Sequence, residues 1–236
     1  MSGAFDKLLS YLKWPVAVIS VILIPGTSVA TWGVLSSAFE NPSPVLPLLL
    51  GALGYSLAWL LIFRKAAWGT WFSTLEHELT HVLFAQITFH KVKAISVTDN
   101  DGGSMSYESQ GGDGNWLIVI SPYFFPTFSI GLLIVLALTA PDKQIYPSAC
   151  LGVSMAYHVI SNWKQLHKGQ TDLQLVGFRF AWIFLPNANL MCYVGILLLR
   201  YLGLERSDAS NLIKMAGSQP DTEEQTEFWA PLKTSE

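Results

Sequence analysis

The stretch "LEHELTHVLF", residues 75–84, sets two histidines and two glutamates inside an otherwise apolar run. At membrane depth each ionisable side chain costs about 2.5 to 3.5 kcal/mol on insertion scales, so a cluster of them marks a task. At 3.6 residues per turn His77 and His81 differ by only about 40° around a helix, which lets both imidazoles reach one metal ion. Glu78 follows the first histidine directly. Its carboxylate therefore falls beside a water on that ion rather than on the ion itself, where it can accept the water's proton. Glu76 projects roughly 100° away from His77 and reads as a supporting or pore-facing group, not a ligand. The competing explanation for the whole cluster is a mutually satisfied polar patch between packed helices.

Working outward, the chain is 51% hydrophobic and 13% charged, with nine Trp and thirteen Phe in 236 residues, which is not a soluble composition. A bilayer-crossing helix needs about 20 mostly apolar residues. Uncharged or nearly uncharged runs near 14–35, 44–63, 68–89, 116–138, 144–163 and 180–199 meet that length, with Trp14, Trp68, Trp71, Trp116, Trp163 and Trp182 near their ends as interfacial anchors. The expected fold is an all-α membrane protein, a polytopic bundle of about six transmembrane helices. Pro25 and Gly26 divide the first run, which reads as one span or two shorter pieces. Lys7 and Lys13 before an apolar run ending in "TSVA" also give that segment some signal-peptide character.

Residues 1–206 form the expected membrane domain, and 207–236, with Asp221, Glu223, Glu224 and Glu227, a polar acidic flexible tail. Cys150 and Cys192 form no Cys-x-x-Cys pair and read as small buried apolar residues. A formal net charge of -3 leaves no basic footprint for nucleic acid. "GGDGN", residues 111–115, lacks phosphate-loop spacing and reads as a link into the fourth run.

Catalytic zinc takes three protein ligands and keeps a position open for water. Downstream of His81 the candidates are His90, Asp99, Asp101, Glu108, Asp113, Asp142, His158, His167 and Asp172. No Glu lies between Glu108 and Glu205, so a later-helix glutamate is not available. Asp172 in "QTDL", just before the last apolar run, is the best placed acid, against the rival reading that it and Thr171 cap a helix. His158 and His167 remain alternatives for the third ligand.

After the motif, "VKAISVT" is rich in β-branched residues, "DNDGG" is a turn signal and "SMSY" can return as a second strand, which predicts a small β-hairpin after the HExxH helix. Pro122 and Pro126 in "SPYFFP" can break or kink the fourth run. Asn162, Asn187 and Asn189 either meet a substrate backbone or bond between helices.

"HELTH" in an apolar run, "VKAISVTDNDGGSMSY", "ISPYFFP" and the late "QTDL" together resemble the site-2 proteases, zinc metalloproteases that cut within or near the membrane. The likeness covers residues 68–190. It implies a zinc-dependent intramembrane endopeptidase with His77, His81 and Asp172 as metal ligands and Glu78 as the catalytic base. Asp172 is followed here by Leu173, where many members carry an Asp-Gly pair. The resemblance further implies that the hairpin, at Gly102, Gly103 and Ser104, binds an extended segment of a membrane-anchored protein. It implies Zn2+ as the cofactor, the lipid bilayer as the setting, and a multi-pass location in a bacterial cytoplasmic membrane with the site towards the cytoplasm. A catalytically silent membrane scaffold that binds peptides through the hairpin edge is the alternative from another class. Simple alternation of six spans puts the Lys91 loop and the Asp172 loop on one face. It divides Lys7, Lys13, Arg64, Lys65 and Lys143 from Lys91, Lys93, Lys164, Lys168 and Arg179, a balance that fixes no orientation.

Overall fold

The computed structural model describes residues 2–43, 45–65, 70–98, 102–108, 114–139 and 145–217, with side chains described through residue 201. Within these residues the chain is helical apart from one hairpin. The helices are α1 (Ser2–Glu40), α2 (Leu46–Leu61), α3 (Thr70–Ile87), α4 (Trp116–Ile120), α5 (Thr127–Leu138), α6 (Ile145–Gln165), α7 (Thr171–Val176) and α8 (Phe178–Gly217). Strands β1 (Val92–Val97) and β2 (Gly103–Tyr107) lie between α3 and α4.

Each of the six apolar runs is helical, yet only α1 and the Phe178–Tyr201 part of α8 are long and apolar enough to cross a bilayer individually. A third candidate is the pair Trp116–Tyr123 and Thr127–Leu138, bent by 74°. Among the described residues, length and composition thus support two or three spans and do not confirm the expected six. The break falls in "SPYFFP", as its prolines predict: a 3₁₀ turn at Ser121–Tyr123 ends α4, and Pro126 starts α5 without a side-chain cap.

The first run is a single helix rather than two pieces, since α1 passes through both Pro15 and Pro25. Beside Pro25 the Thr27 hydroxyl reaches the carbonyls of Leu23 and Ile24 and contacts Asn187 Oδ1 of α8 at 2.6 Å. α8 continues to Gly217, beyond the boundary expected at 206, and residues 218–236 lie outside the described residues.

α1 and α8 pack side by side and run in the same sense: Trp14 meets Phe180, Ser20 bonds the Phe184 carbonyl and Thr27 meets Asn187. Six strictly alternating crossings would make the first and last helices antiparallel, so simple alternation fails. The start of α1 also sits beside the end of α3, with Asp6 Oδ2 3.0 Å from His90 Nε2. Lys7 therefore belongs to the Lys91 face and not to the opposite one.

α2 and α6 approach closely through two glycines. A side chain at Gly51 would strike the Ala149 carbonyl, and one at Gly152 the Leu48 carbonyl. Small residues at such crossings let membrane helices gain contact between backbones. The larger core is built from α1, α3, α4, α7 and α8 around Phe84, Trp116, Tyr123, Phe180 and Phe184. The hairpin forms as expected, antiparallel with Val97 opposite Gly103 and Ile95 opposite Met105, and with a bulge at Lys93. Residues 99–101 of its turn signal, and 111–113 of the following link, lie outside the described residues.

Candidate metal centre

α3 presents His77 and His81 one turn apart, and α7 delivers Asp172 between them. His77 Nε2 lies 3.0 Å and His81 Nε2 3.3 Å from Asp172 Oδ2. Single ligand atoms of the three residues fall within 4.8 Å of one another, which could hold a metal ion. Among the described residues no other group of three such side chains converges in this way.

Hydrogen-bond accounting fixes how the rings face. The Ile118 carbonyl can only accept, so His81 Nδ1, 2.8 Å away, donates to it. Gln165 Nε2 donates to Ser73 Oγ at 2.7 Å, which leaves Gln165 Oε1 to accept from His77 Nδ1 at 2.9 Å. Both Nε2 atoms then direct lone pairs at the Asp172 carboxylate. Three electron-rich atoms facing one another become favourable only around a shared cation or added protons. Nδ1-bonded histidines with free Nε2 atoms, plus one carboxylate, are a donor set suited to zinc.

Asp172 occupies the first turn of α7, whose N-cap is Gln170. Its carboxylate meets the imidazoles, so the capping reading gives way to a ligand geometry. Burial opposes its ionisation; when the imidazoles carry added protons, their bonds to Asp172 outweigh this and hold the carboxyl well below the usual carboxylate range. Tyr123 adds a hydroxyl 3.4 Å from Asp172 Oδ2, and its ring stands edge-on to His77.

The alternatives for the third ligand do not converge with this cluster. His158 Nδ1 pairs with the Tyr193 hydroxyl at 2.7 Å. His167 is exposed and its Nδ1 accepts from Gly169 N. His90 pairs with Asp6. Asp99, Asp101, Asp113 and Asp142 lie outside the described residues.

Glu78 is buried, and its Oε2 has no hydrogen-bond partner. It borders a cavity of about 1430 Å³ together with His77, His81 and Asp172. Tyr55, Trp59, Phe63, Phe72 and Phe128 give the cavity an aromatic lining, and Gly103, Ser104 and Met105 of β2 also border it. Gly103 is required there, because a Cβ would collide with Glu78 Oε1 and Thr74. Gly102 does not border the cavity; its carbonyl is taken by Thr98 N and Oγ1 at 2.8 and 2.7 Å.

The asparagines bond within the protein. Asn162 and Asn189 both donate to the Tyr123 carbonyl, and Asn187 faces Thr27. Gln165 and Tyr123, which touch the candidate ligands His77 and Asp172, were not apparent from the sequence. The only hint was Ser161 and Gln165, two polar residues one turn apart closing an apolar helix.

At the level of its family the chain is a membrane metalloprotease. The chain belongs to the Peptidase M50B-like family, whose model matches residues 47–221, and the likeness to the site-2 proteases is thereby shown. That family consists of zinc metalloproteases and does not favour a silent scaffold. No curated protein and no solved structure matches the chain.

Proposed function

We propose that the protein is a zinc-dependent endopeptidase that hydrolyses peptide bonds of membrane-anchored proteins. The observation that carries this reading is the convergence of His77 Nε2, His81 Nε2 and Asp172 Oδ2 beside the unpartnered Glu78 carboxylate, on the wall of a large apolar cavity. Zinc, when bound by these three residues, supplies Lewis-acid chemistry for the attack of water on a peptide carbonyl.

Glu78 takes the proton of the attacking water and returns it to the departing amine nitrogen. Ile118 and Gln165 hold the two imidazoles through Nδ1, so the rings do not turn away during the reaction. A substrate helix hides its peptide groups in its own hydrogen bonds and must unwind before it can be cut. The β2 edge at Gly103 and Ser104 offers an unwound segment replacement backbone partners, and the aromatic wall accepts its apolar side chains.

The protein is read as multi-pass, with α1 and α8 as crossings, in a bacterial cytoplasmic membrane. Asp6 beside His90 puts Lys7 near Lys91, and Lys13 lies over the Phe180 ring next to Arg179; this gathering of positive charge is read as favouring a cytoplasmic site.

Purified protein should contain one zinc per chain and cut a membrane-anchored peptide. Glu78→Gln should keep the zinc and lower the cleavage rate on the order of 10³-fold. Undiminished cleavage by the pure variant would remove Glu78 from its role, and wild-type protein without zinc would remove the metal mechanism.

A further inference from the structure

Glu76 remains without a task in the chemistry above, although it is buried and sits beside a ligand. It belongs to a second pair of residues on α3, one turn apart, interleaved with the histidines: Glu76 and Thr80. The histidine pair faces the ligand site. The other pair faces the start of α5.

α5 begins directly after the 74° bend, and Pro126 at its N-cap provides no side-chain acceptor. The first turn of a helix exposes N–H groups that need acceptors, and inside a membrane an unmet one is costly. Glu76 Oε1 accepts from Phe128 N at 3.2 Å. The carboxylate therefore caps α5 from another helix, at the end where the helix dipole favours negative charge. One turn on, the Thr80 hydroxyl donates to the Glu76 carbonyl at 2.8 Å, so the Thr127 hydroxyl, 2.5 Å away, donates to Thr80.

The bend carries groups that border the site. Tyr123 before it contacts His77 and Asp172, and Phe128 after it stacks on Phe72 in the cavity wall with ring centres 4.8 Å apart. We propose that Glu76 is a positioning residue: by capping α5 in place of a local cap it holds the bend, and through the bend it sets Tyr123 and the cavity wall against the metal centre. The effect on turnover rests on the proteolytic reading above; the effect on the bend does not.

The test separates the two. In full-length protein, Glu76→Ala removes the acceptor, whereas Glu76→Gln keeps a carbonyl oxygen for Phe128 N. Zinc content should stay at the wild-type level in both. Turnover of a membrane-anchored peptide should fall ten- to a hundredfold, to order of magnitude, in Glu76→Ala, mainly in kcat, and return to within about threefold of wild type in Glu76→Gln.

Independently of cleavage, spin labels at the exposed Ile87 and Leu138, with Cys150 and Cys192 replaced, report the distance between α3 and the far end of α5. That distribution should broaden or shift in Glu76→Ala and match wild type in Glu76→Gln. An unchanged distribution in Glu76→Ala overturns the proposal, as does a Gln variant as disturbed as the Ala variant. If the wild type cuts nothing, the proteolytic reading falls while the label distances still decide the role of Glu76.

Discussion

Two histidine–aspartate pairs among the described residues invite comparison, and in each a histidine Nε2 lies 3.0 Å from an aspartate Oδ2. Around His90 and Asp6 every valence is met. His90 Nδ1 meets the Thr88 hydroxyl, Asp6 Oδ1 accepts from Asn115, and the two side chains are 0% and 8% exposed. Around His77 and Asp172 a second histidine converges on the same oxygen, the exposures are 11% and 22%, and a cavity opens alongside. A histidine–aspartate contact is therefore not a mark of a metal site. Converging unmet lone pairs beside open space are what single out the candidate metal centre.

The sharpest way to break this contrast is to remove the acid from the open cluster. Asp172→Ala should lower zinc affinity on the order of a hundredfold or more and remove cleavage, because the two histidines alone leave the ion short of a ligand. Metal analysis of the variant beside wild type reads this directly. If zinc is retained with unchanged affinity, the third ligand lies elsewhere and His158 becomes the first replacement to test.

A smaller effect is expected one step further from the ion. Gln165→Leu leaves all three ligand residues in place but deprives His77 Nδ1 of its acceptor. Zinc affinity or turnover should fall about ten- to a hundredfold, as is typical when a ligand's supporting bond is lost. Equal affinity and equal turnover in this variant would show that the ring orientation of His77 is fixed by packing against Tyr123 alone.

The contrast also explains what the sequence could reveal. His77, Glu78 and His81 were legible because their geometry is a property of one helix, set by its own periodicity. The hairpin was legible for a similar local reason, with β-branched residues on both sides of a turn signal. Asp172 was reachable only as the best remaining acid, since its approach to α3 depends on where α7 docks. Tyr123 carries no local signal, and Gln165 only the weak one of a second polar residue, Ser161, one turn before it. The same limit affected the topology: apolar length located the helices but could not show that α1 and α8 run in the same sense, which the Thr27–Asn187 and Ser20–Phe184 contacts reveal. Nor could composition separate His90 from a ligand, because its partner is 84 residues away at the start of α1.

The closed cluster yields the mildest prediction for catalysis and the most discriminating one. Asp6→Ala removes one partner of a buried pair and leaves His90 and Asn115 without their acceptor, a loss of about 3 to 5 kcal/mol in stability. The start of α1 should loosen from α4 and the hairpin, since Asp6 ties α1 to both Asn115 and His90. Zinc stoichiometry should nevertheless stay at wild type and turnover of the folded fraction within about twofold, because Asp6 itself touches neither a ligand atom nor a residue bordering the cavity. Thermal melting and metal analysis on the same sample check both halves. A variant that melts lower but keeps its zinc places the first pair in the fold and the second in the chemistry; a variant that loses zinc at temperatures where it remains folded would show that the two clusters are coupled, through the α4 backbone that links Asn115 to the Ile118 carbonyl holding His81.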